Sequence, residues 1–484
     1  MLLFKNKIRL RFAPSPTGFL HLGGLRSALF GYLLAKSQGG KFILRIEDTD
    51  QKREVSGAVS GLIDILKWAG IEFTEGPHLG GKYGPYTQSE RLEIYKKYAN
   101  QLLDDNKIYR CFCSEERLAT MRQDQEARKE APHYDRACRN LSVAQSNQRA
   151  QAGEPFVLRQ KMPLEGETVV HDELIGDIKF KNAELDDHVL IKTSGIPTYQ
   201  FANVVDDHLM KISQVTRGQE WLPSFPKNIL LYETFGWTPP KYIHLPLILN
   251  KTGGKLSKRQ GDVFVEQYRD KGYLPEAIVN FCALLGWHSK NDQEIYSLQE
   301  LEKAFSLSGL GTSPAVFDEE KLDYLNGYYI RQKSLPELTD LCLPYLEKAK
   351  RPLDDLEKIK KFISLSQERM KKLEEIVELT DFLFALPKYA SELLSWKTLS
   401  PEKAKDNLRE IFPELEKITE KNWQKETLEK TIISWLKTNN KKNGDYLWPL
   451  RVALTGLKNS PGPFEVAWAL GREESLRRLE NCLK

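Results

Sequence analysis

Sixteen residues constrain this chain more than any others: Arg9-Leu-Arg-Phe-Ala-Pro-Ser-Pro-Thr-Gly-Phe-Leu-His-Leu-Gly-Gly24. Ile8, Leu10 and Phe12 alternate with Lys7, Arg9 and Arg11, the period of a half-buried strand. Pro14 to Gly18 interrupts regular structure. Leu22, Leu25, Leu29 and Leu33 then recur three or four apart until Gly39-Gly40, which predicts a helix. Lys41 to Glu47 reads as a second strand. The result is a β-loop-α-β unit, the building block of a doubly wound parallel sheet. Such sheets bind ligands beyond the carboxyl ends of their strands, where a turn meets a helix N-terminus. His21, Gly23 and Gly24 fall there, and the backbone N–H groups and dipole of that terminus attract anions. Glycines admit a phosphate, and His21 can donate to a phosphate oxygen. Alone, His-x-Gly-Gly is a turn beside a surface histidine; between a strand and a helix it reads as a phosphate loop.

The remaining composition narrows the class. At 484 residues the chain has room for three to five structural units of ~100–200 residues. No stretch has the length and apolarity of a membrane span. The opening Met1-Leu2-Leu3-Phe4 passes at once into charge and is not read as a signal peptide. Cys111, Cys113 and Cys138 cluster, while Cys282, Cys342 and Cys482 stand apart in apolar surroundings. That is no disulfide framework and fits a reducing cytoplasm. A net charge of +4 neither requires nor excludes a nucleic-acid partner.

Val55 to Ala69 and Ser89 to Asn106 are predicted helices, and Ile108 to Cys113 a strand. Ser114 to Gly153 is polar with helical tendency, and Glu154 to Ile191 is β-rich, punctuated by Gly166, Gly176 and Asn182. The region from about Asn100 to Pro197 reads as an insertion between two halves of the doubly wound domain, which resumes at Thr198. The apolar stretch Tyr242 to Leu249 runs into Lys251-Thr-Gly-Gly-Lys255-Leu-Ser-Lys258-Arg259. Taken alone that is a solvated basic turn. With the first loop it forms a second electropositive wall for a triphosphate. From Pro275 the pattern is nearly all helical, with candidates at 301–305, 338–346, 355–365, 373–386, 428–436 and 463–470.

Two motifs, His-Leu-Gly-Gly after Pro-Ser-Pro-Thr-Gly and the later Lys-Leu-Ser-Lys-Arg, resemble the two ATP motifs of class I aminoacyl-tRNA synthetases. Arg45-Ile-Glu-Asp-Thr-Asp50 and Asn203-Val-Val-Asp-Asp-His-Leu-Met210 are similar to the bacterial-type glutamyl subgroup, as is the tail run Pro449 to Gly456. The resemblance covers essentially the whole chain. It implies an α/β catalytic front, a doubly wound parallel Rossmann-type sheet with a mixed α+β insertion, followed by an all-α anticodon-binding tail. The segments expected are 1–99 and 198–240 for the catalytic halves, 100–197 for the acceptor-binding insertion, and 241–334 for the stem-contact region. Two helical anticodon-binding subdomains, 335–390 and 391–484, complete the chain.

The chemistry implied is attack of L-glutamate on the α-phosphate of ATP, then transfer from glutamyl-adenylate to the terminal adenosine of tRNA(Glu). His21, Lys255 and Lys258 would stabilise the charge spread over the phosphates, with Gly23, Gly24 and Ser257 also at ATP, and Mg²⁺ on the phosphates. Arg11 and Arg217 would take the γ-carboxylate and Glu47 the ammonium, with Ser15, Tyr199, Asn203 and Trp221 lining the pocket. Without the resemblance Arg11 is an ordinary surface residue of an alternating strand. Cys111, Cys113, Tyr134 and Cys138 are spaced like the structural zinc site of some family members, with His133 competing for the fourth position. Arg369, in Gln367-Glu-Arg-Met370, resembles the reader of the third anticodon base. Trp435, Tyr446 and Trp448 are candidate stacking partners or core residues. A monomer without membrane attachment is expected. The alternatives are an enzyme that also charges tRNA(Gln), a tail-less type of paralogue that glutamylates a tRNA base, and a non-catalytic tRNA-binding scaffold.

Overall fold

The computed structural model describes residues 8–50, 55, 57–254 and 264–484. They form two units, Met1–Arg269 with Pro275–Glu319, and Asp270–Leu274 with Glu320–Lys484.

The first unit begins with β1 (Arg9–Phe12), α1 (Leu22–Ser37) and β2 (Lys41–Leu44). β1 and β2 pair in parallel, Leu10 opposite Phe42 and Arg11 opposite Ile43. The expected half-buried alternation of β1 does not hold: Arg9, Leu10 and Arg11 are all buried. The strand lies inside the sheet, with α1 against it and a backbone bond of 2.9 Å from Ser213 N–H to Arg9 O on its other edge. Its arginines tolerate burial because each meets a carboxylate, Glu75 for Arg9 and Asp207 for Arg11. Leu22, Leu25, Leu29 and Leu33 of α1 are all buried, as their spacing predicts. Gly31 sets how closely α1 meets the sheet, because a Cβ there would lie 2.9 Å from the Phe42 ring and 3.0 Å from Thr216 Oγ1.

The chain continues through α2 (Ala58–Trp68), α3 (Leu92–Asp104), β3 (Ile108–Cys111), α4 (Glu115–Ala127), α5 (Val143–Gln151) and β4 (Val157–Gln160). The hairpin β5 (Glu167–Asp172) and β6 (Gly176–Lys181) follows, then β7 (Val189–Ile191), α6 (Tyr199–Leu209), β8 (Gln214–Gly218), α7 (Phe225–Thr234) and β9 (Lys241–Leu245). Strands β3, β4 and β7 make a separate antiparallel sheet that carries α4 and α5. β8 and β9 are parallel, and the hairpin joins them edge-on through β5, giving the order β6-β5-β9-β8. The doubly wound sheet is therefore parallel at its centre and antiparallel where the hairpin extends it. The unit closes with β10 (Ile248–Leu249), α8 (Val265–Asp270), α9 (Pro275–Leu284), α10 (Leu298–Ala304) and β11 (Ala315–Val316), β10 and β11 pairing in parallel.

The second unit is all helix from α11 (Glu319–Gln332) onward: α12 (Leu335–Lys348), α13 (Leu356–Ser366), α14 (Ile376–Phe384), α15 (Pro401–Glu416), α16 (Lys425–Thr438), α17 (Asn443–Thr455), α18 (Pro463–Leu470) and α19 (Arg472–Leu483). One apolar core runs through it, from Leu338, Cys342 and Leu346 of α12 to Leu476 and Leu479 of α19.

Candidate active site

The loop leaving β1 is tied to the strand beside it by a bond of 3.0 Å from Glu47 N–H to Pro14 O. Ser15 lies exposed on this loop. His21 caps α1, its Nδ1 accepting from Gly23 N–H at 3.1 Å. With Nδ1 acting as acceptor, a neutral ring carries its proton on Nε2, the donor a phosphate needs. No acidic residue occupies the first turn of α1, so nothing in that turn offsets the helix dipole. A cavity of about 260 Å³ opens there, lined by His21, Gly23, Gly24, Arg26, Gly218 and Ile248. The two glycines differ in purpose. A Cβ on Gly23 would stand 3.5 Å from His21 Nδ1, whereas one on Gly24 would meet Leu20 Cδ1 at 2.9 Å. Gly24 thus makes room for a packed leucine as well as bordering the cavity.

Lys255, Ser257 and Lys258 lie outside the described residues. The flanks of their segment are described. Before it, Asn250 Oδ1 accepts from Thr252 N–H at 2.8 Å and Gly254 N–H at 3.1 Å. After it, Phe264 pairs with His21 as an isolated bridge, and Val265 N–H donates to Leu20 O at 3.0 Å. The chain leaving the basic segment therefore returns directly onto the histidine of the first loop.

A cluster of opposite charges lies beneath the carboxyl edge of β1 and β2. Arg45 reaches Asp207 at 2.6 Å and Glu47 at 2.9 Å, and Arg11 Nε faces Asp207 at 3.2 Å. Asp206 accepts from Arg91 at 2.7 Å, Gln88 at 2.9 Å and Tyr95 at 2.8 Å. Arg11, Arg45 and Arg91 balance Glu47, Asp206 and Asp207, and all six are buried. Such a cluster is tolerable only when every charge is paired. Burial pushes the Asp207 carboxyl up, but Arg11 and Arg45 outweigh it and hold it below the usual range. For Glu47 burial prevails over Arg45 and Arg11, and its carboxyl is raised. Asn203 donates to Glu47 at 3.2 Å, while its own Oδ1 is buried with no hydrogen-bond partner among the described residues.

Arg217, on β8, stands opposite His244 of β9 in the parallel register. Its Nε donates to His244 Nε2 at 2.9 Å and its Nη1 to Asn228 Oδ1 at 3.4 Å, while the buried Nη2 has no partner among the described residues. His244 Nδ1 lies 2.7 Å from Asp172 Oδ2. The Tyr199 ring stacks on Trp221, centroids 4.6 Å apart. The Tyr199 phenol is pushed up by burial and by Glu47, and drawn back by Arg217 and Arg11. Tyr199 therefore senses both arginines and the glutamate. Among the expected pocket residues the structure thus groups Arg11, Glu47, Asn203, Tyr199, Arg217 and Trp221. Sequence reasoning passed over Arg45, Asp207, His244, Asp172 and Asn228. Arg45 and Asp207 sit within the motif runs already noted; His244 and Asp172 carry no signal short of the strand register.

At the end of β3, Cys111 meets Cys113, just beyond the strand, and Cys138 from a turn before α5, their sulfurs within 4.8 Å of one another. Tyr134 OH lies 3.2 Å from Cys111 Sγ and 3.5 Å from Cys113 Sγ, buried among them. His133 is exposed, with Nδ1 3.1 Å from Ala131 O. Three thiols and one oxygen make a donor set that suits a tetrahedral soft-to-borderline cation. A hydrogen bond from Cys138, against burial, brings the Cys111 thiol down to about 4.

In the second unit, Gln367-Glu-Arg-Met370 forms the turn after α13. Gln367 Nε2 donates inward to Ile330 O and Lys333 O at 3.1 and 2.9 Å, and Met370 is wholly buried. Glu368 and Arg369 between them face solvent. The aromatic candidates serve the core. Tyr446 is buried with its OH 2.6 Å from Glu410, and Trp448 Nε1 donates to Leu393 O at 2.9 Å. Trp435 packs against the same core.

A parallel α/β sheet that presents the N-terminus of a glycine-opened helix, with the chain from Phe264 returning to that point, defines the class of α/β proteins that hold phosphates at a helix N-terminus. The comparisons then specify it. The family model of class I tRNA synthetases (E and Q), catalytic domain, matches residues 7–324, and an anticodon binding domain model matches residues 337–483. The chain belongs to the class I tRNA synthetases of the E and Q group. It is 47% identical over 479 residues to a glutamate–tRNA ligase of Clostridium botulinum strain Hall, covering 98% of each chain. A glutamate–tRNA ligase of Clostridium tetani is 46% identical over 478 residues, covering 98% of this chain and 97% of that one. The crystal structure of a glutamate tRNA ligase from Elizabethkingia meningosepticum, in complex with its amino acid, superposes with a TM-score of 0.91 at 35% identity, covering 99% of each chain. Among the described residues, no helix is long and apolar enough to cross a membrane.

Proposed function

We infer that this chain is a glutamate–tRNA ligase, which activates L-glutamate with ATP and transfers it to tRNA(Glu) in the cytoplasm as a monomer. What supports this is the match over nearly the full length to proteins of that name. The observation that carries the substrate assignment is Arg217 Nη2, a buried guanidinium donor with no partner among the described residues. A γ-carboxylate supplies the missing acceptor and the countercharge. An amide supplies an oxygen without the charge, which disfavours glutamine. Glu47 and the unpartnered Asn203 Oδ1 offer acceptors for the ammonium group, and the Tyr199–Trp221 stack walls the pocket. Ser15 and Arg11 border it from β1 and its loop.

At the phosphates, His21 Nε2 and the N-terminus of α1 stabilise charge on one side, with Gly23 and Gly24 at the rim. Lys255, Ser257 and Lys258 act from the other. Positioning and fixed positive charge are what the pentacoordinate transition state needs. Mg²⁺, expected on the phosphates, would offset their charge and would need no protein cage. Cys111, Cys113, Cys138 and Tyr134 suit a structural Zn²⁺ that braces the insertion, and Arg369 reads the anticodon from its exposed turn. ATP–pyrophosphate exchange with glutamate, with and without tRNA(Glu), tests the activation step. Exchange is expected, and Arg217→Gln raises KM for glutamate at least tenfold, as loss of a charged hydrogen bond worth about 1.5–3 kcal/mol requires. Absence of exchange under both conditions contradicts the reading.

A further inference from the structure

We propose that His244, fixed by Asp172, is a positioning residue that holds Arg217 in its carboxylate-binding pose and, being neutral, leaves the positive charge of Arg217 for the substrate. The proposal rests on the assignment of Arg217 to the glutamate γ-carboxylate.

The atoms determine the direction of each bond. A guanidinium Nε–H only donates, so His244 Nε2 must present a lone pair across the 2.9 Å contact. The ring proton then sits on Nδ1 and is donated to Asp172 Oδ2 at 2.7 Å. Asp172 is itself immobilised. Its Oδ2 also accepts from His244 N–H at 2.9 Å, and its Oδ1 from Leu174 and Ile175 N–H at 3.0 and 2.9 Å. Both His244 and Asp172 have no solvent-exposed surface. With Nε held by His244 and Nη1 near Asn228, the guanidinium plane is set and, among the described residues, Nη2 is the nitrogen that lacks a partner.

The identity of the intermediary matters. A carboxylate bonded directly to Arg217 would neutralise it, and the pocket would lose its preference for an anionic side chain. An interposed imidazole supplies the acceptor without the charge and keeps Asp172 one ring away. The same arrangement is sensitive to acid, since a proton on Nε2 would set N–H against N–H and cation against cation. The groups facing His244 are Asp172, Arg217 and Glu220, with the Tyr242 and Phe225 rings alongside. Burial lowers the proton affinity of His244 against the pull of Asp172, so the neutral form prevails at neutral pH.

The test is ATP–pyrophosphate exchange with tRNA(Glu), titrating glutamate, glutamine and ATP in His244→Phe, His244→Gln and Arg217→Gln. His244→Phe keeps the bulk and removes the acceptor. It is expected to raise KM for glutamate about tenfold and to narrow the preference over glutamine, with KM for ATP unchanged. His244→Gln, whose Oε1 can accept from Arg217, should stay within about threefold of wild type. It should also flatten the rise of KM for glutamate expected of wild type in acid, below the ordinary imidazole range because burial lowers the proton affinity of His244, since an amide does not titrate; Glu47 contributes to both proteins alike. If His244→Phe does not fold, this pH comparison decides. Wild-type KM and wild-type preference in His244→Phe, or an identical pH profile in His244→Gln, overturns the proposal. An unchanged KM in Arg217→Gln overturns instead the assignment beneath it.

Discussion

His21 illustrates how one side chain can serve fold and chemistry through different atoms. Nδ1 is committed to Gly23 N–H, so the donor role proposed for His21 at the phosphates would run through Nε2. The two roles separate by substitution. His21→Ala should lose about 1 kcal/mol with the cap, and a factor of about 10²–10³ in kcat with the donor. His21→Asn can keep the cap through its side-chain oxygen, so its thermal midpoint should match wild type while kcat falls as far. Rapid-quench measurement of adenylate formation beside thermal unfolding reads both effects; a fast, stable Asn variant would contradict the donor role. Arg11 shows what the sequence concealed at this scale. On an alternating strand it reads as a surface residue, because the partner that lets it be buried, Asp207, is 196 positions away. Only the motif runs containing Glu47, Asn203 and Asp207 hinted at it, and none of them names a pairing.

Among the elements, β1 is held by a second buried charge group. Glu75 accepts from both Nη atoms of Arg9 at 2.9 Å, from Lys41 at 2.9 Å and from Tyr86. Chiefly through the bond from Arg9, its carboxyl is brought down to about 2. A folded value below the ordinary 4.5 means stabilisation that is complete above pH 4.5 and fades as pH falls toward 2. Glu75→Gln should therefore lower the thermal midpoint at pH 7 and converge on wild type near pH 2–3; a pH-independent difference would refute the linkage. The cysteine cluster makes a parallel case. Removing metal by chelation is expected to release one Zn²⁺ per chain and to loosen the helices α4 and α5 around it. Tyr134→Phe should weaken retention and His133→Ala should not, as metal content after dialysis would reveal. Spacing alone left those two residues in competition, because adjacent positions share a spacing; the burial of Tyr134 and exposure of His133 are the basis for expecting Tyr134. The helices show a similar limit. Candidates with clean apolar stripes, such as α12 and α13, were readable. α15 and α17 were obscured by Pro413 inside one and Gly444 and Pro449 inside the other.

Over the whole molecule, order and combination carried more than any single motif. The β-loop-α-β opening, the basic segment and the helical tail were each readable, and together they implied the family that the 7–324 and 337–483 matches define. The sheet's mixed character was not readable, because the hairpin that extends it lies in the segment that looks like an insertion. Arg369→Ala, on an exposed turn held by Gln367 and Met370, should leave amino-acid activation intact and relax the choice of tRNA. The most direct test of the account is aminoacylation with labelled glutamate, using separate purified tRNAs for glutamate, glutamine and aspartate. The account predicts charging of the glutamate tRNA alone by wild type, and added charging of the glutamine tRNA by Arg369→Ala. Failure to charge any of the three, with ATP and Mg²⁺ supplied, would contradict it.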